Sequence, residues 1–583
     1  MLPPDPASSK VSLMFIEGGL TLIAAAVAFA WPTIGAGWFS RIERGLGALA
    51  RRQGLAVAVV GMTAFVLRLA ILPFCPVPHP FIPDDFSFLL AANTFASGRL
   101  TNPTPAMWPH FESIHVSMTP TYVSMYFPAQ GLLLAASKVV TGHPWHGVVV
   151  MSALMCAAIC WMLQAWLPPG WALLGGVLAL LRLGLFSYWI NTYTGGGLIA
   201  AFGGALVLGA LPRLLRRPRL RYPMLMAGGV VLLAMTRPYE GILLCLPVGF
   251  SLGHWLWAGK NRPGPAKLLR LAAAPLALTL AGLAWLGYYD YRAFGSPLTL
   301  PYTVNRNTYA MAPYFVWQPA RPEPVYRHAS LRRFYYENEL SEYQRVHNSF
   351  LYRTLLKTIN GALFFIGFAL LPPIIMFRRV LLDRRTRFLV WCVAVMAAGM
   401  LIQIFFIAHY VAPFTAAFYA LGLQAMRHLR VAKFAGRPVG LAIVRLTVTI
   451  CIALAGMRVF AGPLHFSTPE WPASQWSTNW YGPSVYGEER ARIESQLEQL
   501  PGKQLAIVRY SGDHYPLDEW VYNGVDIDGA KVIWAREMDA ADDVALIRRY
   551  QDRSVWLVQP DMQPAAISPY PMPGDQVSML RSK

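Results

Sequence analysis

The sequence predicts a polytopic α-helical membrane protein with about twelve spans and a small α/β domain at its C-terminal end. Three observations predict it. Hydrophobic residues make up 55% of the 583 and charged residues only 14%, whereas a soluble chain carries roughly a quarter charged residues. Apolar stretches of the roughly 20 residues that a bilayer requires recur from residue 12 to residue 461. From Gly462 onward the composition turns to that of a soluble domain.

The spans follow from the charge pattern. The net charge of +20 is concentrated in five short clusters: Arg41 to Arg52, Arg213 to Arg221, Lys260 to Arg270, Arg378 to Arg387 and Arg427 to Arg437. Basic loops between spans stay in the cytoplasm, so the charge reads as topology, and no nucleic-acid partner is expected. Alternation between the clusters gives spans near 12–32, 54–74, 145–167, 171–190, 194–212, 222–236, 241–257, 271–289, 350–377, 388–408, 409–427 and 439–461. Both termini then lie outside. The first span is the least regular, because Glu17 and several glycines interrupt it, and it lacks the flanks of a cleaved signal peptide. Five of the six cysteines fall within spans and the sixth, Cys75, at a boundary. No pair has metal or disulfide spacing, so they read as packing residues.

Residues 1–461 thus form the membrane domain, and 462–583 an extracytoplasmic α/β domain. The hydrophilic segments 75–144, 290–349 and 462–583 all fall on one outer side, an agreement that the alternation did not impose. In the first outer loop, Pro83 and Asp84 open an apolar-periodic run from Asp85 to Ala96 that Ser97-Gly98 closes, the punctuation of a short helix. A second short helix is expected from Pro128 to Val140, lying at the interface. The second outer loop is rich in Tyr, Arg and Pro, and its aromatic content predicts order by packing. In the C-terminal domain, helices are expected at Glu488–Leu500 and Asp539–Tyr550. Strands are expected at Gln504–Arg509, Glu519–Tyr522, Lys531–Ala535 and Val555–Gln559.

Candidate chemistry gathers at the outer level. Asp84 and Asp85 are acids at a membrane surface with no adjacent base, a costly placement that points to function. A carboxylate there could accept a proton from, or orient, an acceptor hydroxyl or amine; Asp84 could instead cap the helix that follows. His110, Glu112 and His115 could hold a divalent metal, although their spacing fits no standard zinc pattern, and acceptor contacts or local hydrogen bonds are the other reading. No cofactor is certain, and a divalent metal stays open. Arg237 could grip phosphate oxygens bidentately, with Tyr239 and Glu240 beside it in the same outer turn; an Arg237–Glu240 ion pair stapling the turn is the alternative. Tyr193 lies in the turn Asn191 to Gly197, whose three glycines permit close packing or ligand approach. His409 opens the outer end of another span. Arg182 sits mid-span, where it is costly unless it faces a polar interior.

An acidic pair in the first outer loop, then the short helix opened by Tyr126-Phe127-Pro128-Ala129-Gln130-Gly131, then many spans and an outer soluble domain, resemble the GT-C glycosyltransferases. The resemblance is to the bacterial branch related to protein O-mannosyltransferases and to aminoarabinose transferases acting on lipid A, and it covers roughly residues 54–461. It implies a GT-C-like fold and sugar transfer from a polyprenyl-phosphate carrier at the outer face of the cytoplasmic membrane. The acceptor would be a lipid, a glycan or a protein. It implies the role of base for Asp84 or Asp85, and a contact between Arg237 and the carrier phosphate. The N-terminal span is extra to the usual core, Phe127 stands where relatives often carry Pro or a charged residue, and residues 462–583 match no named domain. A transporter or lipid flippase with a gated outer cavity is the alternative, opposed by the absence of an internal repeat. A non-catalytic scaffold is a third.

Overall fold

The structure is a computed structural model, and it describes residues 13–259, 262–461 and 487–571. In chain order the membrane domain opens with α1 (Leu13–Ala30), α2 (Ala36–Arg51) and α3 (Gln53–Ala70). The loop after α3 holds α4 (Pro83–Ala96), a two-stranded antiparallel ribbon of β1 (Val116–Ser117) and β2 (Val123–Ser124), and α5 (Pro128–Thr141). Then come α6 (Trp145–Trp166), α7 (Pro169–Ala179), α8 (Leu198–Arg216), α9 (Arg221–Ala234), α10 (Pro238–Ala258) and α11 (Pro265–Phe294). The expected second outer loop, after α11, folds into α12 (Pro301–Tyr309), α13 (Ala329–Arg332) and α14 (Leu340–Asn348). The membrane domain closes with α15 (Phe350–Phe365), α16 (Phe377–Leu382), α17 (Arg387–Leu401), α18 (Thr415–Arg430) and α19 (Val439–Val459).

Helices stand at every expected span. Seven of them, α1, α3, α6, α8, α10, α11 and α19, are each long and apolar enough to cross a bilayer. The expected spans at 171–190, 350–377 and 388–408 are shorter as helices than the sequence predicts, each for a local reason, and that at 409–427 opens as a 3-10 turn, Ala408–Phe414. After α7 a π-helical turn, Leu180–Gly184, carries Arg182 inward, and residues 185–197 run irregularly. Arg68 holds that irregular stretch from α3, donating to Asn191 Oδ1 at 2.9 Å and to the carbonyl of Cys75 at 2.9 Å. The span at 350–377 breaks beyond Phe365, at Gly367 and Pro372-Pro373. Past α17, residues 402–404 pair with the second outer loop through Val316 N–H to Ile402 O and Ile404 N–H to Tyr314 O. Non-helical backbone at membrane depth is tolerated where protein buries it or where it lines a cavity, and at 185–197 both conditions hold.

The first span is not weakened by Glu17. That carboxylate meets Arg182 at 2.9 Å and accepts the Ala369 N–H at 2.9 Å, so the two charges interrupting separate spans answer each other. The mid-span arginine is satisfied structurally and lies outside the site described below.

The C-terminal domain comprises α20 (Glu488–Gln499), β3 (Lys503–Val508), β4 (Val532–Arg536), α21 (Ala540–Arg549), β5 (Arg553–Gln559) and β6 (Ala566–Pro569). Its sheet has the order β4-β3-β5-β6, parallel across the first three strands and antiparallel at β6. Asp539 caps α21, its carboxylate accepting the N–H groups of Ala541 and Asp542. The expected strand at Glu519–Tyr522 does not form. Glu519 is instead buried, accepting from Ser113 Oγ, Tyr510 Oη, the Val521 N–H and Arg536. An internal carboxylate network holds that stretch in place of a ladder. The expected domain boundary at Gly462 lies outside the described residues.

The three hydrophilic segments assigned to one side pack on one another. Arg536 donates from β4 to the Glu112 carbonyl and to Ser330 Oγ, and Ser113 reaches Glu519. The two long loops and the C-terminal domain share this buried junction.

Candidate active site

Asp84 sits in the first turn of α4, whose N-cap is Ile82 without a side-chain cap. Its carboxylate does not cap the helix. It accepts a hydrogen bond from the Tyr126 hydroxyl and lies 3.2 Å from His115 Nδ1. His115 is placed by its backbone: its φ of 65° is left-handed, and its carbonyl accepts from Ser87 Oγ at 2.7 Å and Met125 N–H at 3.1 Å. A non-glycine residue in that conformation persists only where its surroundings hold it. Burial pushes the Asp84 carboxyl upward, but the charge and hydrogen bond of His115, with the Tyr126 hydroxyl, outweigh it and hold the group at about 2.

Asp85 turns the other way. It is 1% exposed, and its Oδ1 accepts the N–H groups of Tyr193 and Thr194 at 2.8 and 3.2 Å. Burial above all, reinforced by the like charge of Asp84, pushes its carboxyl up to about 7 against those two bonds. The twin acids thus divide: one carboxylate is available and one braces the glycine-rich turn. That turn needs its glycines for packing. A Cβ on Gly196, at φ 47°, would lie 2.2 Å from the Trp189 ring.

A cavity of about 130 Å³ collects Asp84, Arg237 and His409 with Tyr126, Tyr188 and Tyr302. Four helices begin on it. Ile82 and Asp84 belong to the start of α4, Phe127 and Gln130 to that of α5, Ile199 and Ala200 to that of α8, and Thr236 and Arg237 to that of α10. The first N–H groups of a helix lack acceptors within it, and its N-terminus carries partial positive charge. Four such ends add partial positive charge around the cavity, set against the Asp84 carboxylate, and offer an anion a place.

Arg237 adds the formal charge. Its guanidinium lies 4.5 Å above the Tyr410 ring and 3.8 Å from Glu240, beyond hydrogen-bond distance. Its side chain is 18% exposed, and among the described residues it makes no side-chain hydrogen bond. His409 Nδ1 is 2.9 Å from the Tyr188 hydroxyl, which also accepts the His409 N–H. The C-terminal domain contributes Leu517 to the wall.

Several residues expected at the site stand elsewhere. Glu240 is buried beside Arg237 and does not line the cavity. Tyr239 donates to the Gly399 carbonyl and packs on Phe315. Tyr193 enters the apolar core, and only its backbone serves the site, through Asp85 and Gln130. Glu112 accepts from Tyr309 at 2.8 Å and faces Arg327 and His328 at the junction of the outer loops. His110 lies against the Arg536 carbonyl, 3.1 Å away. His110, Glu112 and His115 therefore turn to three different neighbourhoods, and among the described residues no three His, Cys, Asp or Glu side chains gather as a metal site. Tyr188, Tyr302 and Leu517 carried no signal in the sequence. Tyr126 did stand two residues ahead of a helix-opening proline.

No family model matches the chain, and no curated protein does. The comparison with solved structures finds membrane glycosyltransferases at low identity. ArnT from Cupriavidus metallidurans in the apo state is 12% identical, with 87% of this chain and 92% of that one covered and a TM-score of 0.48. The same protein bound to undecaprenyl phosphate is 13% identical, with 86% and 92% covered and a TM-score of 0.48. The Archaeoglobus fulgidus oligosaccharyltransferase tethered to an acceptor peptide is 11% identical, with 87% and 68% covered and a TM-score of 0.45. Each of these likenesses has a TM-score under 0.5, and the chemistry rests on the cavity.

Proposed function

We propose that this protein transfers a sugar from a polyprenyl-phosphate carrier to a hydroxyl or amine acceptor at the outer face of the cytoplasmic membrane. One observation carries the reading: an ionised Asp84 and an Arg237 without a hydrogen-bonding acceptor share one cavity ringed by four helix N-termini. A general base needs a carboxylate within reach of the nucleophile, and a departing phosphate needs fixed positive charge.

In the proposed step the acceptor hydrogen-bonds to Asp84, and its oxygen or nitrogen attacks the anomeric carbon. The bond from that carbon to the phosphate oxygen breaks, and its electron pair leaves with the lipid phosphate. A carboxylate held near 2 is a weak base. Asp84 therefore orients the nucleophile first and receives its proton as the new bond forms. Arg237 and the starts of α8 and α10 stabilise the leaving phosphate. Among the described residues one guanidinium lines the cavity and balances one phosphate, which favours a monophosphate carrier, and a single direct displacement inverts the anomeric carbon. Leu517 gives the C-terminal domain a place beside the acceptor, which remains a lipid, a glycan or a protein.

The test uses purified protein and undecaprenyl-phosphate-linked hexoses and pentoses carrying a radiolabelled sugar, offered one at a time with a membrane extract as acceptor source. Transfer by the wild type, lost on Asp84→Asn and Arg237→Gln, is expected. An Asp84→Asn protein that transfers at the wild-type rate removes the mechanism.

A further inference from the structure

The loop between α1 and α3 is not a simple turn. It is the sixteen-residue helix α2, which does not have the composition of a span. Its residues sort into three sectors at helical spacing. Ala36, Phe39, Ser40, Glu43, Gly47 and Ala50 turn inward, half-buried or buried. Glu43 anchors this sector, meeting Arg430 and Arg445 at 2.9 Å each, while Ser40 Oγ accepts from Arg445 at 3.2 Å.

The second sector is apolar and uncovered. Trp38, Ile42 and Leu46 are 60, 39 and 51% exposed, one above another along the helix. The third is basic: Arg41, Arg44, Arg51 and, just past the helix, Arg52 are exposed and have no carboxylate partner among the described residues. Spans enter and leave this helix at its two ends, so it sits at a membrane boundary. The Glu43 latch fixes its rotation there. An apolar stripe beside a basic stripe in that position matches the acyl edge and the phosphate layer of an anionic leaflet. Trp at the headgroup level is the usual interfacial anchor.

We infer that α2 lies in the plane of the membrane boundary as an anionic-lipid-binding helix, with Trp38, Ile42 and Leu46 among acyl chains and Arg41, Arg44, Arg51 and Arg52 on lipid phosphates. This does not depend on the proposed function.

Full-length protein, with the half-buried Cys245 replaced by serine, is spin-labelled singly at Ile42→Cys, Leu46→Cys or Arg44→Cys. It is then reconstituted into vesicles of phosphatidylcholine with or without phosphatidylglycerol. Labels at 42 and 46 are expected to meet dissolved oxygen more readily than a water-soluble nickel chelate, and the label at 44 the reverse. Native mass spectrometry should show phosphatidylglycerol retained over phosphatidylcholine. That preference should fall about five-fold for each arginine changed to Gln and be restored by Lys at the same positions. Labels at 42 and 46 as open to the nickel chelate as that at 44 would overturn the proposal. So would a lipid preference unchanged by the four Gln substitutions, or shielding of 42 and 46 that appears only as the protein self-associates.

Discussion

His115 Nδ1 lies 3.2 Å from Asp84 Oδ2, with the Tyr126 hydroxyl bonded to the other oxygen of the same carboxylate. This contact decides the charge of the acid that faces the cavity. Burial is the largest influence on Asp84 and acts to protonate it; His115 is the largest influence in the opposite sense. Removing His115 leaves burial opposed chiefly by Tyr126. In a His115→Ala protein the acid limb of the pH–rate profile for sugar release should therefore move up by at least about one pH unit, with the rate on the alkaline plateau less affected. Superimposable profiles would place His115 outside the chemistry.

Arg237 is a different kind of contributor, since in the proposed step it faces developing charge on the leaving phosphate. Arg237→Gln should lower kcat by about 100- to 1000-fold, the usual cost of losing one preorganised donor to a transition-state anion. Arg237→Lys should recover part of that, because it keeps the charge and loses the fork. Glu240→Gln should change the rate little, since the carboxylate is 3.8 Å from Arg237 and outside the cavity. Single-turnover rates with a labelled undecaprenyl-phosphate sugar would read these differences.

Asp85 carries a pH signature of its own. Its folded value near 7 stands above the ordinary 3.8. Between those values the unfolded chain releases a proton that the folded protein keeps, so stability falls as pH rises from about 4 to 7 and then levels. The loss is at most about 4 kcal/mol by linkage. Asp84 runs opposite: its depressed value adds stability above about 4 that is lost as pH falls through 2. Asp85→Asn keeps an oxygen for the Tyr193 and Thr194 N–H groups. Its melting temperature in detergent should accordingly vary less than that of the wild type between pH 5 and pH 8. An equally steep variant curve would assign the pH dependence to other groups.

These contrasts show what a sequence makes legible here. Charge clusters and span lengths predict the level of a residue along the membrane normal, and so group Asp84, Arg237 and His409. They do not fix rotation about an axis. Asp84 and Asp85 are adjacent yet point to different partners, and Arg237 faces the cavity while Tyr239 and Glu240 of the same turn do not. Glu112 followed its own loop to the junction with the C-terminal domain, a path no periodicity records. Strands at 503–508 and 553–559 were legible from apolar runs. Glu519–Tyr522 had similar composition and folded around the buried Glu519 carboxylate instead, because side-chain bonds there replaced the ladder. In α1 and the π-helical turn after α7 the local rule counted Glu17 and Arg182 as two separate costs, when long-range pairing made them one contact.

That pair supports the last prediction. Glu17 and Arg182 are 2% and 0% exposed, and their contact joins α1 to the π-helical turn and, through the Ala369 N–H, to the break after α15. Desolvation makes a buried pair of little net benefit, yet removing one partner strands the other charge and costs about 3–5 kcal/mol. Glu17→Gln and Arg182→Met should each lower the melting temperature in detergent sharply, whereas Glu17→Leu with Arg182→Met should recover most of it. Gly367 belongs to the same contact. A Cβ there would lie 2.0 Å from Arg182 Nη2 and 2.6 Å from Glu17 Oε1, at a φ of 60°. Gly367→Ala should therefore destabilise the wild type more than the Glu17→Leu, Arg182→Met background, whose shorter apolar side chains leave room for the methyl group. Equal effects in both backgrounds would mean that the backbone conformation at Gly367, and not the ion pair, sets its requirement for glycine.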